Sequence, residues 1–377
     1  MYKFGIVILA LSCTVGYAQA DVLFRCPAQL TTLQHEVPDY LHVLKIPAAH
    51  VVQIVDAQSG DLTLTLTTAP HDVRTLDLFD RPEYSLTRER VSLPAVGGKV
   101  HVLNTVSRKE IMLALLQHGR TSIFQDQACT IEALSDHVGV RQNIVAWAEH
   151  LHLVWPDGGA ARWNVKYWTR GTPNPGVSVR AAVMDVFLHQ NEYAIGCYTS
   201  AKLVIVQGML DYFDRIKRDP LRTRRIEETL LADGDPLVGI EPGIMWSFEN
   251  DFDLQQMQHS GKLLKLLTAI APGNFVPGDW SYMINTDPAT ANKTGYEGSN
   301  TIYMGRNRFD DFYDDHHHSY TYEQKLDEVY QWRNGVFSRQ RNADKIKPLS
   351  AEELSRLGNT PADGGLQVDT RAVPRDF

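Results

Sequence analysis

The chain predicts an α+β fold, on three observations. An apolar and threonine-rich stretch with period-two alternation runs over residues 41–104, helical periodicity dominates residues 107–211, and aromatic strands bounded by glycine follow over 279–304.

The first strands are expected over Leu41–Ile46, His50–Val55 and the alternating Leu62, Leu64 and Leu66. Gly97-Gly98 between Val91–Leu93 and Val100–Val102 reads as a hairpin turn. Ser107 and Glu110 have capping-box spacing ahead of Ile111–Gln117, and Gly119 supplies a stop. An amphipathic helix fits Arg141–Leu151, with Ile144, Val145, Trp147, Ala148 and Leu151 on its apolar side. Trp163–Tyr167 reads as a short strand, Val179–Leu188 as a helix, and residues 227–255 as an irregular connection rich in Gly and Pro. Asp279–Asn285 and Thr301–Met304 are strands of a buried sheet, Ser350 and Glu353 cap a short helix, and residues 359–377 read as a mobile tail.

The 377 residues are 43% hydrophobic, enough for substantial cores, and carry a net charge of -8. That charge opposes nucleic acid as the main partner, since no extended basic surface offsets phosphate repulsion. The one basic run, Arg215 to Arg225, is interrupted by Pro220 and reads as a solvated turn. The first twenty residues have the form of an export signal: Lys3, an apolar run from Phe4 to Val15, and Ala18-Gln19-Ala20 as the cleavage site. A secreted or periplasmic protein is expected, with no later apolar stretch long enough to span a bilayer.

Removing that segment takes Cys13 with it and leaves Cys26, Cys129 and Cys197, an odd number for an oxidising compartment. A Cys26–Cys129 bridge would close a loop of about a hundred residues and contribute ~4 kcal/mol in the chain-entropy model. Two free structural thiols, or a bridge to another chain, are the alternatives. Cys197 is the natural remainder. It follows a glycine and opens an apolar helix running to Asp211, where unpaired backbone N–H groups and the helix dipole favour thiolate over thiol. The competing reading is a buried structural cysteine.

Four blocks stand in a telling order: Arg141-Gln-Asn-Ile-Val-Ala146 with Leu151-His152, Tyr193-Ala-Ile-Gly-Cys197, Val276-Pro-Gly-Asp-Trp-Ser-Tyr282, and Gly298-Ser-Asn-Thr-Ile-Tyr-Met-Gly305. Over residues 141–313 the chain resembles the compact bacterial spore-coat type protein-glutamine gamma-glutamyltransferases, whose nucleophilic cysteine falls on Cys197. The resemblance implies a papain-like core, a central helix presenting the thiol to an antiparallel sheet. It also implies acyl transfer from a glutamine side chain of a protein or peptide donor to a lysine or other primary amine, with no cofactor. Trp280, Tyr282, Tyr296 and Tyr303 would then supply aromatic walls that shield the thioester from water. Ordinary core packing is the competing role for each.

The chain departs from that family at the base. The related enzymes carry an acidic residue immediately before the nucleophile, here Gly196, and a catalytic Glu in a Gly-Glu-Asn step, here Gly298-Ser299-Asn300. Glu297 is a candidate substitute, displaced by two positions and so of the same strand parity. His316, His317, His318 and Asp311 are the other candidates, an imidazole being the usual thiol partner. Asp310–His318 also reads as a solvated loop. A metal site is not expected, because consecutive histidines do not readily converge on one ion and no second ligand cluster has recognisable spacing. Asp279 and Asn300 are expected to hold turns.

The expected organisation is a signal at 1–20, a β-rich module at 21–130, a catalytic domain at 131–336 and a polar tail at 337–377. The expected activity is transglutaminase-type transfer. Alternatives on the same scaffold are a cysteine amidase or peptidase with water as acceptor, and an inactive envelope-binding protein.

Overall fold

The computed structural model describes residues 22–156, 161–169, 171–232, 263–313, 319–337, 344 and 347–375. The export signal, His316, His317, His318 and most of the connection expected at 227–255 lie outside the described residues.

Strand β1 (Val22–Arg25) leads into α1 (Leu30–Val43), followed by β2 (Val51–Val55) and β3 (Leu62–Leu66). The hairpin β4 (Glu89–Pro94) and β5 (Val100–Thr105) precedes α2 (Arg108–Leu116), β6 (Ser122–Gln125) and α3 (Ile131–His150). A four-stranded sheet has the order β2-β3-β1-β6, with β1 antiparallel to β3 and parallel to β6. Cys26 and Cys129 form a disulfide across the ends of β1 and the β6–α3 connection, with an S–S distance of 2.01 Å.

The strand expected from Leu41 is instead the end of α1. Leu33, Val37 and Leu41 recur every four residues and are all buried, so the helical spacing prevails over the local β-like composition. Helix α3 begins ten residues before Arg141. Its first half looks polar because Asp136 is a buried ion-pair centre, receiving Arg222 at 2.6 Å, Lys217 at 2.8 Å and the Tyr212 hydroxyl at 3.0 Å. Amphipathicity cannot register a polar residue that is buried with its partners.

The strand expected at Trp163–Tyr167 is a turn. The Asn164 carbonyl accepts from the amides of Tyr167 and Trp168, and only then do β7 (Trp168–Thr169) and β8 (Thr172–Pro173) pair. Helix α4 (Val179–Leu188) is capped by Ser178, and α5 (Cys197–Asp211) is buried along its whole length. Gly208 permits the closest α3–α5 approach, since an added Cβ would lie 2.8 Å from the Ile144 Cα. A π-turn at Tyr212–Ile216 leads to α6 (Pro220–Ala232). The basic run is therefore largely helical, with Pro220 in the first position, where its missing N–H costs nothing.

The second sheet contains β9 (Leu264–Leu267), β10 (Trp280–Ile284), β11 (Gly298–Tyr303), β12 (Phe309–Asp310), β13 (Ser319–Tyr320) and β14 (Arg371–Pro374). Its order is β13-β12-β11-β10-β14-β9, with every neighbouring pair antiparallel. The C-terminal residues read as a mobile tail thus supply an interior strand. Arg371, fully buried, lies over the Phe275 ring at 4.2 Å and donates to the Val368 carbonyl at 2.7 Å. The strand is short and opens on a charged residue, which is why it reads as tail in the sequence.

Helix α5 packs on β11, whereas α7 (Tyr322–Arg333) contacts β10 and β11 and is followed by α8 (Ala351–Leu357). Two apolar clusters result. One, containing Trp280 and Ile302, is continuous with α3, α5 and the four-stranded sheet; the other gathers Met283, Tyr303, Phe275, Phe309 and Trp332. Asp279 joins α3 to the start of β10, taking Arg120 at 2.6 Å and Arg141 at 2.9 Å with all three side chains fully buried.

Candidate active site

Gly196 is the N-cap of α5 and Cys197 its first residue, with no side-chain cap. The first helical bond, from the Ser200 amide to the Gly196 carbonyl at 3.0 Å, leaves the preceding amides without an intrahelical acceptor. Two contacts fix this elbow: the Ser200 hydroxyl donates to the Gly196 carbonyl at 2.9 Å, and the Tyr313 hydroxyl donates to the Ile195 carbonyl at 2.8 Å. Cys197 is not disulfide-bonded and is 8% exposed.

The facing sheet brings Asn300 to the sulfur. Its Nδ2 lies 3.7 Å from Cys197 Sγ, while its Oδ1 accepts from Trp280 Nε1 at 3.0 Å. The β10–β11 register pairs Tyr282 with Asn300 and Trp280 with Ile302, so these four side chains share one sheet face. Trp280 is fully buried and packs on Tyr198, the residue after Cys197, with ring centroids 4.9 Å apart. It therefore supports Asn300 and the helix start rather than forming an exposed wall. Asn300, expected to hold a turn, is the side chain at the thiol.

Tyr282 is on the thiol face and 8% exposed. Its hydroxyl donates to the Glu297 carbonyl at 3.2 Å. Burial first, then the charges of Cys197 and Glu297, hold its phenol well above the ordinary tyrosine range, so it remains a neutral donor. Gly298 leaves room for the Tyr282 ring: a Cβ there would lie 2.5 Å from Tyr282 Cε2. Half-buried Glu297 thus shares an electrostatic neighbourhood with the thiol through Tyr282.

The other expected wall residues lie elsewhere. Tyr303 stacks among Phe275 and Phe309 in the second cluster, at centroid distances of 5.4 and 5.0 Å. It is three residues from Asn300, an odd number, and strand alternation turns it to the opposite face. Tyr296 is enclosed by Trp155, Trp332 and Phe337 and donates to the Phe337 carbonyl at 2.6 Å. Ser299, at the family's carboxylate position, pairs with Met283 and turns away from the sulfur by the same alternation.

Asp311 is committed to a fully buried ion pair with Lys325 at 2.6 Å, and Lys325 also binds Glu328 at 2.6 Å. The charge partner of this candidate base is thus Lys325 of α7. Its neighbour Asp310 pairs with Ile302 and so shares the Asn300 face, where its Oδ1 accepts from the Phe312 amide at 2.7 Å. Sequence parity along 300–302 and 309–311 was the available signal; what it lacked was the register of β11 against β12. Among the described residues no group of three or more His, Cys, Asp or Glu side chains is arranged to hold a metal ion, and no helix is long and apolar enough to cross a membrane.

A cysteine at the N-terminus of a buried helix is met by a side-chain amide from a facing antiparallel sheet, an arrangement suited to thiol-dependent acyl transfer. The family model for protein-glutamine gamma-glutamyltransferase matches residues 100–326, and the chain belongs to that family. It is a transglutaminase-type enzyme acting on protein substrates. Among solved structures, the chain is similar to a transglutaminase from Geobacillus stearothermophilus without its C-terminal extension, with 16% identity, 65% of this chain and 94% of that chain covered, and a TM-score of 0.37. No curated protein matches the chain.

Proposed function

We propose that Cys197 is the nucleophile of an exported transglutaminase. The observation that carries this reading is the contact between Cys197 Sγ at the start of α5 and the Asn300 amide on β11. The thiolate attacks the side-chain amide carbon of a donor glutamine, the tetrahedral intermediate expels ammonia after its nitrogen gains a proton, and a thioester remains. An uncharged amine then attacks the thioester carbon and loses a proton as the thiolate departs, leaving an isopeptide or secondary amide. Preorganised donors at the helix start and on Asn300 stabilise negative charge at sulfur in both steps.

Of the candidate proton acceptors, the segment His316–His318 after β12 is preferred, because Glu297 shares the parity of Ser299 and alternation turns that set from the sulfur. Support for export comes from the N-terminal apolar segment and from the Cys26–Cys129 disulfide, which an oxidising compartment maintains. The segment 21–130 is proposed to aid substrate choice or anchoring.

The test is incubation of the full mature protein with a glutamine peptide and a fluorescent primary amine, following dye incorporation and ammonia together. Equal yields of both support transfer. Ammonia without incorporation makes water the acceptor and overturns the transferase reading, and neither product identifies an inactive scaffold.

A further inference from the structure

We infer that Trp280 is a positioning residue for this reaction: its indole N–H fixes the Asn300 amide in the one orientation that donates to the Cys197 sulfur. The inference rests on Cys197 being the nucleophile and deepens that reading.

The argument is one of hydrogen-bond polarity. Indole Nε1–H is a donor only, so the Asn300 atom 3.0 Å from it must be the acceptor oxygen. The amide is planar and has one oxygen and one NH2, so the atom 3.7 Å from Sγ is the NH2 group. Without the indole N–H, a rotation about the last side-chain torsion would present the oxygen instead, which attracts a thiol hydrogen and repels a thiolate. With it, the donor orientation is held. The indole cannot turn away, because it is fully buried, packs on Tyr198, and sits on β10 between β11 and the interior strand β14, where it pairs with Ile302 and Ala372.

This also constrains the proton. Asn300 in that orientation offers no lone pair to the thiol, so it stabilises the charged nucleophile and does not create it by taking the hydrogen. Among the described residues, Tyr282 from β10 and Asp310 from β12, by its register opposite Ile302, share the face turned to this end of α5, and the Glu297 charge acts on Tyr282.

Trp280→Phe keeps a buried ring and removes the N–H. We expect the pH midpoint for iodoacetamide alkylation of Cys197 to rise by about one unit, a roughly tenfold fall in thiolate at pH values below both midpoints, with amine incorporation falling in kcat rather than KM and recovering at higher pH. Asn300→Ala should raise the midpoint similarly, and the double variant should add no further rise, because both changes remove one interaction. Circular dichroism and the thermal midpoint separate these effects from misfolding. A Trp280→Phe profile coincident with wild type, or additive rises in the double variant, overturns the positioning role while wild-type incorporation leaves the transferase reading intact. A wild-type protein that neither incorporates amine nor alkylates at Cys197 below the free-cysteine midpoint overturns both.

Discussion

Ser299 and Asn300 are adjacent on β11 and stand on opposite faces of the sheet: Asn300 reaches Cys197 Sγ at 3.7 Å, and Ser299 pairs with Met283 of the second apolar cluster. The position that carries the carboxylate in the resembling family is thus turned from the sulfur in this chain. Asn300→Ala should lower kcat/KM for amine incorporation by about ten- to a hundredfold, the equivalent of one hydrogen bond to a charged group. Ser299→Ala should leave it within about twofold, because the buried Ser299 hydroxyl makes no hydrogen bond among the described residues. Steady-state kinetics on the two variants side by side provides the check, and a larger loss at Ser299 would reverse the assignment.

Cys197→Ala is expected to abolish incorporation and leave stability within about 1 kcal/mol, since the change removes a single sulfur atom and leaves the backbone of α5 unaltered. Urea unfolding monitored beside the activity assay separates the two. Residual incorporation above the uncatalysed rate would place the nucleophile elsewhere.

Asp279 should be a principal stability determinant. Burial alone would raise its pKa, but Arg120 and Arg141 outweigh burial and hold its carboxyl well below the usual carboxylate range. The folded value is depressed, so its contribution is fully present above the unfolded value of about 3.9 and is lost as pH falls toward the folded one. Asp279→Asn leaves two buried guanidinium groups without their counter-charge and should cost about 3–5 kcal/mol at pH 7. The difference from wild type should begin to shrink below about pH 4, where the unfolded carboxyl takes up its proton while the native one stays ionised, which denaturant unfolding at pH 7 and pH 3 would reveal.

Glu110 should act in the opposite sense. It is 3% exposed, and burial raises its pKa from 4.5 to about 7 despite the Arg306 charge and the Arg306 amide, which donates to it at 2.9 Å. The folded value is raised, so the neutral form favours folding below about pH 4.5 and that contribution disappears as pH rises through 7, amounting to about 3 kcal/mol at most. Glu110→Gln removes the titration. Thermal midpoints measured between pH 5 and 8 should fall for wild type relative to the variant, and parallel curves would refute the assignment.

Much of the site's chemistry was legible in local sequence. The glycine before Cys197, the apolar run after it and the odd cysteine count isolate one thiol at a helix start without reference to any other part of the chain. Ser107, Ser178 and Ser350 each cap the helix that follows, and the Gly97-Gly98 hairpin links β4 to β5. These are properties of a few neighbouring residues, fixed by side-chain-to-backbone bonding and backbone freedom.

Buried polar groups were the part that sequence concealed. Asp136 and Arg371 look like surface residues until their partners, far away in the chain, are in place, and so the start of α3 and the whole of β14 escaped detection. The same holds at the candidate site, where Asp311 reads as a candidate base but stands in a buried ion pair with Lys325, while Asn300 reads as a turn residue but meets the sulfur.

The amino-acid order by itself determined the thiol, the helix that presents it and the presence of an aromatic sheet, because each depends on local bonding or on a repeat of side-chain character. Which of two adjacent strand residues faces that thiol was decided only by the tertiary structure. Alternation divides the side chains into two sets, but the pairing of β10 with β11 and their packing against α5 select the set that is turned toward the helix.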